Sequence, residues 1–307
     1  MFAGALTEGT RWPNPDLLPG KTMKEAEESP LMVLISPGRY LRGTDTAELE
    51  RENVPEDFGK WEQPQQTVTI RQGFGLAAHP VTVGEFRRFI QDTGHDMSGR
   101  AIGYVSGKGF GSSATRVWDN PGFQQTDDHP VTCVNAGDAD AYAAWLANRT
   151  GKACRLPSEA EWEYACRAGT VTARFWGNDH DGARHFANGA DLSLARQMKE
   201  KPDAERRFQY DDGYVFTSPV GAFAANPWGL HDMLGNVWEW MADDWFDSHE
   251  GADCTDATRT TTGGGSPRVL RGGSWYDNPW TIRSGTRNMF DTGIRVSSNG
   301  FRLARAL

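Results

Sequence analysis

Apolar residues recur along this chain with two periods, and the change of period divides it. Helical spacing occurs three times in the first half. Val83, Phe86, Phe89 and Ile90 form a stripe behind Thr82 and Glu85, a capping box in which each side chain satisfies a free backbone N–H of the first turn. Gly94 stops that helix. Asn135 and Asp138 open a second one, with Tyr142, Trp145 and Leu146 facing inward and Gly151 at its end. Ser158 and Glu161 open a third, with Trp162, Ala165 and Cys166 on one face and Gly169 closing it. Period two marks the strands. One is predicted over 31–35, with 40–43 as its hairpin partner after Ser36-Pro37-Gly38, and another over 67–70. The last forty residues are framed by two more, 268–275 and 300–305, the second alternating Phe301 and Leu303 against Arg302 and Ala304. Residues 44–65 read as a charged loop, 191–211 as a charged excursion and 255–267 as a Thr- and Gly-rich connector, with no helix after 170. Helices early and short strands late, without βαβ alternation, predict an α+β domain.

Residues 1–29 are polar, with Pro13, Pro15, Pro19 and an acidic cluster from Glu25 to Glu28, and predict an N-terminal arm; 30–307 form the domain. The chain combines 35 glycines with 12 tryptophans, which points to turn-rich backbone pinned by large aromatic anchors rather than a helical bundle. A net charge of −9 argues against a general binder of nucleic acid or anionic membrane. No apolar run is long enough for a membrane span, which needs about 18 residues. The first residues lack a basic segment followed by an apolar run, so the expected location is the cytoplasm, with Cys133, Cys154, Cys166 and Cys254 reduced and in no zinc-like spacing.

Six stretches carry a resemblance: 79–86 (HPVTVGEF), 127–146 (DDHPVTCVNAGDADAYAAWL), 155–170 (RLPSEAEWEYACRAGT), 226–240 (NPWGLHDMLGNVWEW), 268–275 (RVLRGGSW) and 299–305 (NGFRLAR). In this order they resemble the formylglycine-generating-enzyme superfamily, whose domain is a variant of the C-type-lectin fold. The resemblance implies a copper-dependent oxidase only where two cysteines follow the GGS-aromatic strand. Here those positions are Asp277 and Ile282, neither of which suits a soft Cu(I) ion, so no copper is expected. Relatives that bind iron through a histidine-bearing helical domain also fit poorly, because the seven histidines show no such cluster.

A further branch of the superfamily, the variable proteins of diversity-generating retroelements, ends in a hypervariable segment between a GGSW-type and a GFRL-type strand. Tyr, Asp, Asn, Thr, Ile, Phe, Val and Ser are all reachable from a randomised AAC codon; Trp280 and Met289 are not. This likeness makes 268–307 a candidate variable region. It marks Tyr276, Asp277, Asn278, Trp280, Thr281, Thr286, Met289, Phe290, Thr292, Ile294, Val296, Ser297 and Ser298 as candidate contacts for a protein or glycan ligand. Arg271, Arg283, Arg287 and Arg295 would hold the frame through carboxylates or carbonyls. The competing expectation is an oxidoreductase with a non-cysteine site in the same place. The resemblance also implies two structural calcium sites. One uses the side chains of Asp232 and Glu239 with the carbonyls of Gly235 and Val237. The other uses the side chains of Asn188 and Asp212 with the carbonyls of Gly189 and Tyr214.

Overall fold

All three capping boxes are formed. Thr82 Oγ1 accepts from Glu85 N–H at 3.2 Å while Glu85 Oε2 accepts from Thr82 N–H at 2.8 Å, and Asn135–Asp138 and Ser158–Glu161 repeat the reciprocal pair. They start the helices Val83–Thr93, Ala136–Thr150 and Glu159–Arg167. Gly94 and Gly151 end the first two in the left-handed conformation, φ 63° and 67°. The third ends one residue earlier than the glycine rule predicts, on Ala168 at φ 46°. The computed structural model describes residues 20–24, 29–105, 109–199, 207–261 and 265–307. The predicted acidic cluster at 25–28 and the first nineteen residues of the arm lie outside this set.

Four small sheets surround these helices. The largest runs Thr22–Met23, Met32–Ile35, Phe74–Ala77, Ala304–Ala306, Cys154–Arg155, and so ties the end of the chain to its beginning. Thr22 and Met23 therefore belong to a sheet rather than to a free arm. A second sheet orders Arg287–Phe290, Arg268–Arg271, Trp238–Asp244 and Asn299–Gly300. A third joins Arg295–Val296 to the hairpin Ala101–Val105 and Gly109–Ser113. The fourth pairs Gly38–Arg42 with Gln66–Ile70, so the predicted 40–43 strand turns away from 31–35 and finds its partner farther along. The connection at 44–65 is not a plain loop: it holds the short helices Thr46–Arg51 and Glu56–Gly59, the first capped by Asp45. The 191–211 stretch likewise begins with the helix Leu192–Met198, whose N-cap Asp191 accepts from Ser193 and Leu194 N–H, and Ala183–Phe186 is a further helical turn. Among the described residues no helix is long and apolar enough to cross a membrane.

Trp162, Trp240 and Trp275 are among the largest side chains with no exposure, which bears out the reading of tryptophan as anchor. Fully buried beside them are Arg174, Arg271, Arg283 and Arg302. Arg302 overturns the predicted alternation at the C-terminus. From Phe301 to Ala304 every side chain is buried, and the strands here are only Asn299–Gly300 and Ala304–Ala306. The segment passes between two sheets, so both of its faces meet protein.

Candidate functional site

The tail is fixed from below by its arginines. Arg271 pairs with Glu163 and donates to the carbonyls of Ser284 and Gly285, both at 2.9 Å. Arg283 bridges Glu48 at 3.0 Å and Glu62 at 2.6 Å, reaching back to the helical connection near the start of the chain. Arg287 binds Glu159 at 2.6 Å, and Arg295 binds Asp138 at 2.7 Å. Planar guanidinium forks on carboxylates give directional anchoring, and a buried pair of this kind tolerates little displacement. The framing role expected of these four residues is therefore met.

The candidate contacts on this frame do not form one surface. Thr281, Thr286, Val296, Ser297 and Ser298 are buried, with Ser297 at 0% exposure, so they cannot touch a partner without unfolding. The reason is topological. Val296 sits in the strand paired with Ala101–Val105, Ser297 N–H donates to the Ile102 carbonyl, and the Ser298 carbonyl accepts from Trp238 N–H. Tyr276, Asp277, Asn278, Trp280, Met289, Phe290, Thr292 and Ile294 remain half-buried. They too diverge: Tyr276 packs on Phe110 at 4.5 Å, Trp280 on Phe58 at 5.3 Å, and Phe290 lies against the core around Phe86 and Trp240.

Asp277 and Ile282, the positions at which the resemblance implies cysteines in the oxidases, are both engaged within the fold. Ile282 is fully buried in the main core. Asp277 accepts from both the hydroxyl and the N–H of Ser274, and its own carbonyl accepts from Ala190 N–H. Burial pushes its carboxyl up to about 6, with the Ser274 bonds opposing.

The two calcium arrangements fare differently. At the 232–239 turn the side-chain oxygens are already engaged. Glu239 Oε2 accepts from Trp162 Nε1 at 2.8 Å and Arg302 Nε at 2.7 Å, and its Oε1 accepts from Arg302 Nη2 at 2.7 Å. Asp232 Oδ2 accepts from Gly221 N–H at 2.7 Å. Arg302 also caps the carbonyls of Ala77, His231 and Asp232. A guanidinium thus supplies the positive charge at this turn, and the set Asp232, Gly235, Val237 and Glu239 does not fit a calcium ion. Gly235 instead permits a close crossing of two backbones. At φ 79° its α-carbon lies so near the Asn188 carbonyl that any side chain would collide.

The other set fits. Asn188 Nδ2 donates to the Phe216 carbonyl at 2.7 Å, leaving Oδ1 buried with no partner. Asp212 Oδ1 accepts from Tyr214 N–H at 2.8 Å, leaving Oδ2 equally buried and unpartnered. Buried oxygens without donors are costly and call for an explanation. Burial, and then the neighbouring charge of Asp191, raise the Asp212 carboxyl to about 8. Hard neutral and anionic oxygens in a folded-back loop are what calcium takes. Asp191, which sequence reasoning missed, holds Asp212 by accepting its N–H at 2.7 Å. Its signal was present: an acidic residue just before Leu192 and Leu194 is an N-cap pattern.

Above this loop lies a cleft of about 520 Å³ lined by rings, among them Tyr104, Phe123 and Phe216. Phe123 and Phe216 stack at 4.6 Å, and Trp275 meets Phe216 edge-on at 5.1 Å from beneath. His129 Nδ1 lies 3.0 Å from Thr217 Oγ1, which also accepts from Gln125 Nε2 at 2.9 Å. Burial lowers the His129 pKa.

The predicted 268–275 strand ends at Arg271, and helices and short mixed sheets wrapped around the buried GGSW segment that follows it define a C-type-lectin-like domain of the formylglycine-enzyme type. The chain belongs to the family described as the sulfatase-modifying factor enzyme 1-like domain, which matches residues 19–307. It is 29% identical to the formylglycine-generating enzyme of Mus musculus over 304 residues, 89% of this chain and 74% of that one. Among solved structures it is similar to PvdO from Pseudomonas aeruginosa, with TM-score 0.77 and 32% identity over 94% of this chain and 99% of the other. Treponema denticola variable protein 1 shares the fold at TM-score 0.66 and 22% identity, covering 94% and 99% of the two chains.

Proposed function

We propose that this chain is a ligand-binding member of the family and does not generate formylglycine by a copper–dithiol route. The observation that carries the reading is the state of positions 277 and 282: a carboxyl tied to Ser274 and a fully buried isoleucine. A soft-metal thiolate site needs two sulfurs there, and the two cysteines that touch the tail, Cys166 against Ser284 and Cys133 against Val296, are both fully buried. Contacts to a protein or glycan would come from the half-buried residues of the tail, Tyr276, Asn278, Trp280, Met289, Phe290, Thr292 and Ile294, as separate patches rather than one surface, with rigid rings supplying area at little entropic cost. The competing oxidoreductase reading would use Asp277, whose carboxyl titrates near neutrality beside a hydroxyl.

Incubation with Cu(I), oxygen and a sulfatase-derived cysteine peptide is expected to leave the peptide unchanged by mass spectrometry. An aldehyde product would overturn the proposal. Display by diversification has its own readout in DNA: a near-copy of the coding sequence for 268–307, differing at adenines, beside a reverse-transcriptase gene. Finding neither limits the chain to a fixed ligand.

One structural calcium is part of the proposal, held by Asn188, Gly189, Asp212 and Tyr214. Titration calorimetry is expected to give one ion per chain rather than two. Chelator should lower the melting temperature, since an ion bound only to the native state at 100 times its Kd adds about 2.7 kcal/mol. Asp212→Asn should abolish the calcium-dependent part of that temperature. A stoichiometry of two, or an unchanged melting temperature, would count against it.

A further inference from the structure

The cleft around Phe123 differs in electrostatic character from the other large clefts of the molecule. The one beside His79 is lined by Glu85, Arg87, Arg88, Asp127 and Asp128, and the one beside Gln72 by Arg71, Arg155, Glu161 and Asp256. Among the described residues the lining of the Phe123 cleft contains no carboxylate and no lysine or arginine; its polar members are Gln124, Gln197, His129, Thr217 and tyrosine hydroxyls. The carboxylates nearest in sequence, Asp128, Asp211 and Asp212, flank lining residues without lining the cleft themselves.

One positive charge stands behind its wall, against two of the lining residues. Arg116 Nη2 donates to the Tyr104 carbonyl at 2.8 Å, and Arg116 Nε lies 2.8 Å from the point a Cβ on Gly122 would occupy; Tyr104 and Gly122 both line the cleft. Arg116 Nε is buried and has no partner. Among the described residues no carboxylate lies within ion-pair distance of this guanidinium, whereas buried Arg174, Arg271, Arg283, Arg287 and Arg302 each have one. A half-buried cation bonded, among the described residues, only to backbone carbonyls leaves its charge available to an anion from outside. The remaining lining chemistry states the shape of that anion. Tyr104, Phe123, Tyr214 and Phe216 offer ring faces and edges, and the volume is in the range of drug-sized ligands, about 300–1,000 Å³.

We infer that this cleft binds a small planar aromatic anion, through the rings of Phe123 and Phe216 and the charge of Arg116. The site is separate from the macromolecular contacts assigned to the tail, so the two readings stand or fall independently. The test is calorimetry on the full chain with four probes: 2-naphthoate, its neutral isostere 2-naphthamide, cyclohexanecarboxylate and methyl β-glucoside. Naphthoate is expected to bind about tenfold more tightly than naphthamide, and the other two much more weakly. Arg116→Gln should erase the preference of naphthoate over naphthamide while leaving naphthamide binding in place. Phe123→Ala should weaken both aromatic probes at least severalfold and, because Phe123 is only half-buried, should leave the far-UV circular dichroism spectrum unchanged. Arg88→Gln, in the cleft beside His79, should change nothing. Equal binding of naphthoate and naphthamide, retention of the preference in Arg116→Gln, tighter binding of the glucoside, or no binding of any probe would each overturn the assignment.

Discussion

Replacing Arg302 with alanine should cost about 3–5 kcal/mol of stability, the range for removing one partner of a buried ion pair. The Arg302 side chain is unexposed and donates to both oxygens of Glu239, which is itself unexposed and also accepts from Trp162. Without the guanidinium, Glu239 must either stay ionised in the core or take a proton there. The carbonyls of Ala77, His231 and Asp232 lose their donor at the same time. Glu239→Ala should be equally harmful for the opposite reason, a buried cation left alone. The double variant Arg302→Met with Glu239→Leu should recover much of the loss, because matched apolar replacements of a buried pair are often neutral. Urea denaturation of the three variants measures this. A loss below about 1 kcal/mol in Arg302→Ala would mean that the pair is weak or hydrated.

Arg302 also shows why parts of this fold were legible and others were not. The three capping boxes are relations between residues three apart, and local hydrogen bonding decides them, so Thr82, Asn135 and Ser158 could be placed from sequence. The arginine frame was legible as a class, since a polar tail with seven arginines needs anions; the partners Glu48, Glu159 and Glu163 are set by long-range packing that no spacing encodes. Alternation failed at 300–305 because that rule assumes one wet face, and this segment has none. Ser297, Ser298 and Thr286 were placed on a binding surface for another reason, their position in the candidate variable segment between the two framing strands. Short polar side chains read as exposed, yet strand pairing with Ala101–Val105 and Trp238–Asp244 encloses that part of the tail. Of the two calcium sets, the 232–239 set was the closer motif match but meets an arginine sixty-three residues away in sequence. The weaker match keeps the unpartnered oxygens of Asn188 and Asp212, a property visible only in three dimensions.

Trp275 carries the second large expectation. It is fully buried, touches Phe110, Phe123, Phe216 and Tyr276, and its Nε1 donates to the Ser297 carbonyl at 3.3 Å. Trp275→Ala should cost about 3–5 kcal/mol, the range for emptying a large aromatic site in a core. Trp275→Phe should cost less, because a ring remains to meet Phe216 and only the indole hydrogen bond and part of the volume are lost. The position of this residue gives the pair of variants a use beyond stability. Trp275 underlies the Phe123–Phe216 stack on one side and Tyr276 on the other, so its loss should loosen the cleft and the start of the tail together, while Asn188 and Asp212, the proposed calcium ligands, keep their own supports in Phe216 O and Tyr214 N–H. Near-UV circular dichroism should therefore change strongly in Trp275→Ala and weakly in Trp275→Phe. Chemical denaturation should show a lower midpoint at unchanged slope in both. A Trp275→Ala variant as stable as the parent would mean that the aromatic nest is not what joins the hairpin 101–113 to the GGSW segment, and the cleft would then have to be held by the backbone bonds of 213–217 alone.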